Sequence, residues 1–134
     1  MPLRCLIVDD NASFLAASRA ILHGQELSVV GEAATAAEAL RRTAELRPDL
    51  VLLDIDLAED SGIEVARQLA KEAGAAAPAV IFISAHPAED YADLVEESPA
   101  LGFIPKSDLS TAAVRDLLHT HAGDSHDRSQ SESR

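Results

Sequence analysis

Short apolar runs alternate with amphipathic segments along the chain, and the alternation repeats five times. The runs Cys5–Val8, Val29–Val30 with their flanks, Leu50–Leu53, Val80–Ile83 and Leu101–Ile104 read as strands. Leu50-Val51-Leu52-Leu53 and Val80-Ile81-Phe82-Ile83 lack polar alternation, the pattern expected of strands covered on both faces. Between the runs, apolar residues recur at helical spacing. Phe14, Leu15, Ser18, Ile21 and Leu22 form one such face. Ala36, Ala39, Leu40 and Thr43 form a second, opened by the capping-box pattern Thr35-Ala36-Ala37-Glu38. Val65, Ala66, Leu69, Ala70 and Ala73 form a third, ending at Gly74. A fourth face is built from Tyr91, Leu94 and Val95, and a fifth from Ala113, Val114, Leu117 and Leu118.

A βα unit repeated five times calls for a parallel sheet with helices on both faces. Right-handed crossovers and short loops leave few topologies, among them the flavodoxin-like doubly wound (βα)5 order 2-1-3-4-5. Residues 1–122 read as one domain. Residues 123–134 carry no apolar side chain to bury and read as a disordered polar tail.

Composition narrows the classes. Apolar residues make up 47% of the 134 and aromatics only 3%, so the core must be aliphatic. With 11 basic and 23 acidic residues, the formal net charge is −12. That balance disfavours direct nucleic-acid binding and docking on an anionic membrane, both of which need clustered Lys and Arg. Cys5 is the single cysteine and sits inside an apolar run, so it reads as a buried strand residue. No apolar stretch approaches a membrane span and the start lacks a signal-type apolar region, so a cytoplasmic location is expected.

The polar residues fall where the strands end. Strand one runs into Asp9-Asp10, strand three into Asp54, strand four into Ser84, and Lys106 follows strand five. In a parallel α/β sheet, ligands bind beyond the carboxyl ends of the strands. Taken singly, each residue has a plainer reading: Asp9-Asp10 and Ser84 as helix caps, Phe103 as core, Lys106 as a solvated charge. Jointly, they suggest one rim. Three converging carboxylates repel one another, and a divalent cation with oxygen ligands relieves the repulsion. An aspartate can attack phosphorus, and phosphoryl transfer mainly needs positioning and charge neutralisation. The cation, Lys106 and the Ser84 hydroxyl are suited to hold phosphoryl oxygens.

Four segments carry a specific resemblance. Leu-Ile-Val-Asp9-Asp10-Asn, Pro48-Asp49-Leu-Val-Leu-Leu-Asp54-Ile-Asp56-Leu, Ile83-Ser84-Ala85 and Gly102-Phe103-Ile104-Pro105-Lys106-Ser107 resemble the successive signatures of response-regulator receiver domains. They match in order and spacing over roughly residues 3–121. The resemblance implies that Asp54 is the phosphoacceptor and a metal ligand. It implies that Asp9 and Asp10 hold Mg²⁺ (or Mn²⁺), Asp10 most directly, and that Asp56 adds its backbone carbonyl. Ser84 is then the switch hydroxyl, Phe103 the switch aromatic and Lys106 the phosphate-binding lysine. A sensor histidine kinase or histidine phosphotransfer protein is the expected partner, and phosphorylation is expected to change partner binding or self-association, including a homodimer. Such a protein modifies itself and is not expected to turn over a substrate as an enzyme does.

The chain departs from the family in places. Ala58 stands where Pro is frequent, and Pro105 precedes Lys106 where many relatives have a cis-Pro after the lysine, so a cis bond is not carried over. Phe103 lacks the hydroxyl of a switch Tyr. Asp56 and His86, each two residues beyond a site residue, are read as tuning the phosphoryl lifetime through access of the attacking water, against the alternative that both simply face solvent. His23, His119, His121 and His126 show no ligand spacing. The Gly-Phe-Ile-Pro-Lys-Ser wording resembles receivers of helix-turn-helix regulators, yet the sequence after the fifth helix reads only as a tail. A single-domain regulator is therefore favoured over a shortened transcription factor. Asp54-Ile-Asp56 also resembles the opening motif of haloacid-dehalogenase-type phosphatases, but there the acidic metal pair follows the lysine, whereas Asp9-Asp10 come first. An unphosphorylated interaction module on the same fold is the third alternative.

Overall fold

In the computed structural model, residues 3–22, 24, 26–57, 61–74, 77–85 and 92–119 are described. Five strands, β1 (Leu3–Val8), β2 (Leu27–Ala33), β3 (Leu50–Asp54), β4 (Ala79–Ser84) and β5 (Gly102–Pro105), form one parallel sheet in the order β2-β1-β3-β4-β5. The helices are α1 (Ala12–Leu22), α2 (Ala36–Leu46), α3 (Gly62–Ala73), α4 (Ala92–Glu96) and α5, described over residues 111–119. The expected topology is the observed one. Each apolar run is a strand, and β2 reaches beyond its predicted centre on both sides.

Alternate residues of every inner strand feed opposite cores. Leu6, Val8, Val51, Leu53, Val80 and Phe82 join Ala39, Val65, Ala66 and Leu69 from α2 and α3. Cys5, Ile7, Leu50, Leu52, Ile81, Ile83 and Ile104 join Leu22 of α1 and Val114 of α5. β3 is buried at all five positions, which is why its sequence shows no period. Fully burying one such aliphatic side chain contributes about 1.5–3 kcal/mol, so the run Leu50–Leu53 alone ties both layers together. The buried thiol of Cys5 is pushed up to about 12, first by loss of solvation, with its backbone contact to Leu52 opposing.

Local signals set the helix ends. Thr35 Oγ1 accepts the Glu38 N–H at 3.1 Å, while the Glu38 carboxylate reaches back one residue further than the box predicts, to the Ala34 N–H at 2.9 Å. α2 stops at Arg47, whose φ of 48° is the left-handed region, and the Arg47 N–H donates to the Thr43 carbonyl. α3 stops at Gly74, as expected. One helix face needs correction. Ser18 and Leu22 of α1 are buried, but Ile21 is 47% exposed. The stripe that meets the sheet is centred on Ser18 and Leu22, and Ile21 lies to one side of it in the last turn. Tyr91 and the side chain of Leu94, from the fourth expected face, and the tail at residues 123–134 fall outside what is described.

Candidate functional site

The strand register assembles the rim. Val8 lies beside Leu53, so the next residues, Asp9 and Asp54, end adjacent strands side by side. Asp54 pairs with Ile83, and Ser84 pairs with Pro105, which places Ala85 and Lys106 one step beyond. The carboxylates of Asp9, Asp10 and Asp54 converge, each offering an oxygen within 4.8 Å of the others. Asp9, Asp54 and Ser84 are buried, whereas Asp10 is exposed.

Each buried carboxylate is held by backbone donors and by one cation. The Asn11 N–H donates to Asp9 Oδ1 at 2.8 Å, and Lys106 Nζ lies 2.5 Å from Asp9 Oδ2. The Asp56 N–H donates to Asp54 Oδ1 at 3.0 Å, and Lys106 Nζ lies 3.6 Å from Asp54 Oδ2. Lys106 opens a single 3₁₀ turn, Lys106–Asp108, directly after β5, which brings its stem in over the sheet. Its ammonium also sits 4.5 Å from the centroid of the Phe14 ring. Three carboxylates therefore face one ammonium. The imbalance shows in Asp54, whose carboxyl is pushed up from 3.8 to about 6. Burial is the largest cause, with Asp9 and Asp10 adding to it and the Asp56 N–H and Lys106 opposing.

The site fits a hard divalent cation on its donor chemistry: all three side chains offer carboxylate oxygen, and their charge exceeds that of the one lysine beside them. Asp10 and Asp54 are the better placed to hold it: Asp10 is exposed and Asp54 Oδ2 meets the Lys106 ammonium only at 3.6 Å, whereas Asp9 is fully buried with Lys106 Nζ 2.5 Å from its Oδ2. The loop after Asp54 is fixed from below. The Gly62 N–H donates to the Ile55 carbonyl at 3.0 Å, and a Cβ at Gly62 would stand 2.3 Å from the Asp54 carbonyl oxygen. Asp56 is exposed and bridges to Ser61 in antiparallel fashion.

The family model described as the response regulator receiver domain matches residues 5–117. The chain belongs to that family. Among solved structures, the receiver resembles a LuxR-family two-component response regulator from Aurantimonas sp. SI85-9A1, with a TM-score of 0.78, 30% identity, and coverage of 92% of this chain and 87% of that one. Among curated proteins, it is 34% identical over 124 residues to protein-glutamate methylesterase/protein-glutamine glutaminase 5 of Myxococcus xanthus (strain DK1622), covering 92% of this chain and 34% of that protein. It is 30% identical over 117 residues to the transcriptional regulatory protein LiaR of Bacillus subtilis (strain 168), covering 87% of this chain and 54% of the relative. The chain thus spans about a third to a half of the length of these relatives.

The receiver's rim brings together Asp9, Asp10, Asp54 and Lys106, and Ser84 and Asp56 stand on the adjoining strand end and loop. Phe103 is half-buried on β5 and packs against the core on the α2–α3 side, together with Val95 of α4. His86 lies outside the described residues. Among the described residues no peptide bond is cis and no helix is long and apolar enough to cross a membrane. Sequence reasoning missed three contributors. Gly62 could have been found as a glycine at the start of a capped helix just after the acidic loop. Asn11 could have been found as the polar residue between Asp10 and the first helix. Phe14 was visible only as part of a helix face.

Proposed function

We propose that Asp54 accepts a phosphoryl group and that Mg²⁺ or Mn²⁺ bound by Asp10, Asp54, Asp9 and the Asp56 carbonyl accompanies it. The observation that carries this reading is the convergence of Asp9, Asp10 and Asp54 with Lys106 paired into them. An Asp54 carboxylate oxygen attacks the phosphorus of a partner phosphohistidine or a small phosphodonor. The new O–P bond forms as the bond to the imidazole nitrogen, or to the donor's acyl oxygen, breaks with its electron pair. The cation would neutralise charge on the phosphoryl oxygens. Lys106 is within reach of a second oxygen, since it already spans Asp9 and Asp54. The Asp56 N–H keeps Asp54 Oδ1 oriented and leaves Oδ2, the oxygen facing Lys106, as the nucleophile.

Output follows from the new charge on the rim. Ser84 is drawn toward the phosphoryl group, and Phe103, half-buried between β5 and α4, follows into the space vacated. That movement biases the surface of α4, β5 and α5 between two states, which changes partner binding or self-association. A histidine kinase or histidine phosphotransfer protein supplies the phosphoryl group in the cytoplasm. Asp56 and His86 set its lifetime, and the chain turns over no other substrate. The test is acetyl phosphate with Mg²⁺ followed by intact mass. A single phosphoryl adduct on wild type and none on Asp54→Asn is expected; equal labelling of both refutes the assignment.

A further inference from the structure

We infer that Phe14 is a positioning residue for Lys106, its ring face binding the ammonium and keeping it over the rim through the whole phosphorylation cycle. The inference rests on the phosphoacceptor reading of Asp54 and adds a residue to it. Lys106 carries a long, flexible stem, yet its side chain is only 18% exposed. Three neighbours define where its ammonium sits: Asp9 Oδ2 at 2.5 Å, Asp54 Oδ2 at 3.6 Å and the Phe14 ring at 4.5 Å from its centroid. Two of the three are consumed by the chemistry. A divalent cation competes for both carboxylates, and phosphorylation converts the Asp54 carboxylate into an acyl phosphate, so that phosphoryl oxygens replace Oδ2 as what Lys106 faces. The ring is changed by neither event, and a cation over an aromatic face is attracted at any protonation state of the acids.

The ring is also tied to the residues it serves. The Phe14 N–H donates to Asn11 Oδ1 at 3.0 Å in the first turn of α1, and the Asn11 N–H donates to Asp9 Oδ1. Asp9, Asn11, Phe14 and Lys106 thus form a closed circuit of contacts. Phe14 is half-buried and packs against the core beneath α1. An aliphatic residue of similar size would fill the same place without the negative ring face.

The experiment replaces Phe14 with Tyr, with Leu and with phenylalanines of increasing ring fluorination, which weaken the ring face at nearly constant volume. Rates of labelling by acetyl phosphate in Mg²⁺ are measured beside thermal unfolding. Tyr is expected to keep the wild-type rate and Leu to lose about two- to tenfold. Fluorination should lower the rate stepwise at unchanged unfolding temperature. A rate that is flat across the fluorinated series overturns the inference. Lys71 and Lys106 are the only lysines, so labelled lysine gives two sets of side-chain resonances. The ring should move those of Lys106 upfield with Phe or Tyr and not with Leu, before and after Mg²⁺ is added. Loss of that shift on adding Mg²⁺ overturns the inference even where rates fall. Failure of the phosphoacceptor reading looks different: wild type then acquires no adduct at Asp54, whatever stands at position 14, while the resonances still decide the ring contact.

Discussion

Replacing Asp54 by Asn removes a buried carboxyl that the fold holds at an electrostatic cost. In the unfolded chain its carboxyl titrates near 3.8, and in the metal-free fold it is raised to about 6, chiefly by burial. That difference is about 3 kcal/mol, at about 1.4 kcal/mol for each tenfold change in proton affinity. Asp54 is only 5% exposed, so little solvent screening reduces the figure. The sign follows from proton counting. Between about pH 4 and 6 the folded state binds more protons at this site than the unfolded state, so stability falls as pH rises through that window. Below it the cost is absent, and above it the cost is complete. Asn does not ionise and keeps an oxygen for the Asp56 N–H, but it gives up the attraction of Lys106. Asp54→Asn is therefore expected to exceed wild type by about 1–3 kcal/mol in chelator near pH 8, and to match it near pH 4. If magnesium binds as proposed, it is expected to close or reverse the gap, because a ligand at about a hundredfold its Kd adds about 2.7 kcal/mol to the state that binds it. Urea unfolding followed by far-ultraviolet circular dichroism suits a chain without Trp. Equal stability of the two proteins in chelator at the higher pH, or a gap that does not change with pH, refutes the reasoning.

Three further substitutions probe the rim and its support. Lys106→Met leaves the Asp9 charge fully buried with the Asn11 N–H as its remaining described hydrogen bond, and should cost about 3 kcal/mol in chelator, measured by urea unfolding; the same variant should label far more slowly than wild type. Gly62→Ala sets a methyl 2.3 Å from the Asp54 carbonyl oxygen and 2.7 Å from the Ile55 Cα, both backbone atoms. It should cost about 1–3 kcal/mol and slow labelling as the acceptor loop shifts, which stability and acetyl phosphate assays on one preparation can show together. Thr35→Ala removes the oxygen that caps α2 and should lower stability by about 1 kcal/mol, with an unchanged labelling rate because the Thr35 hydroxyl caps α2 and is not among the groups that converge around Asp54.

Much of the architecture was legible in residue order alone. Runs such as Leu50–Leu53 are apolar at every position, and only a strand buried on both faces needs that; five of them separated by helical patterns leave few topologies. Polar residues that interrupt those runs at their carboxyl ends must share a rim once the strands are parallel and in register. Asp9, Asp10, Asp54 and Lys106 could therefore be grouped from residue order alone. The tertiary structure decided what pattern cannot encode. Helical spacing marked Ile21 as facing the core, but the rotation of α1 on the sheet leaves it exposed, since spacing fixes a face only to within a residue or two of its edge. Lys106 could have reached any of several acids; the turn after β5 gives it to Asp9 first and Asp54 second. That Gly62 must lack a side chain, and that Phe14 lies under the lysine, depends on distances of a few ångströms between segments remote in sequence. Composition and periodicity report which residues leave water; only packing determines which of them then touch.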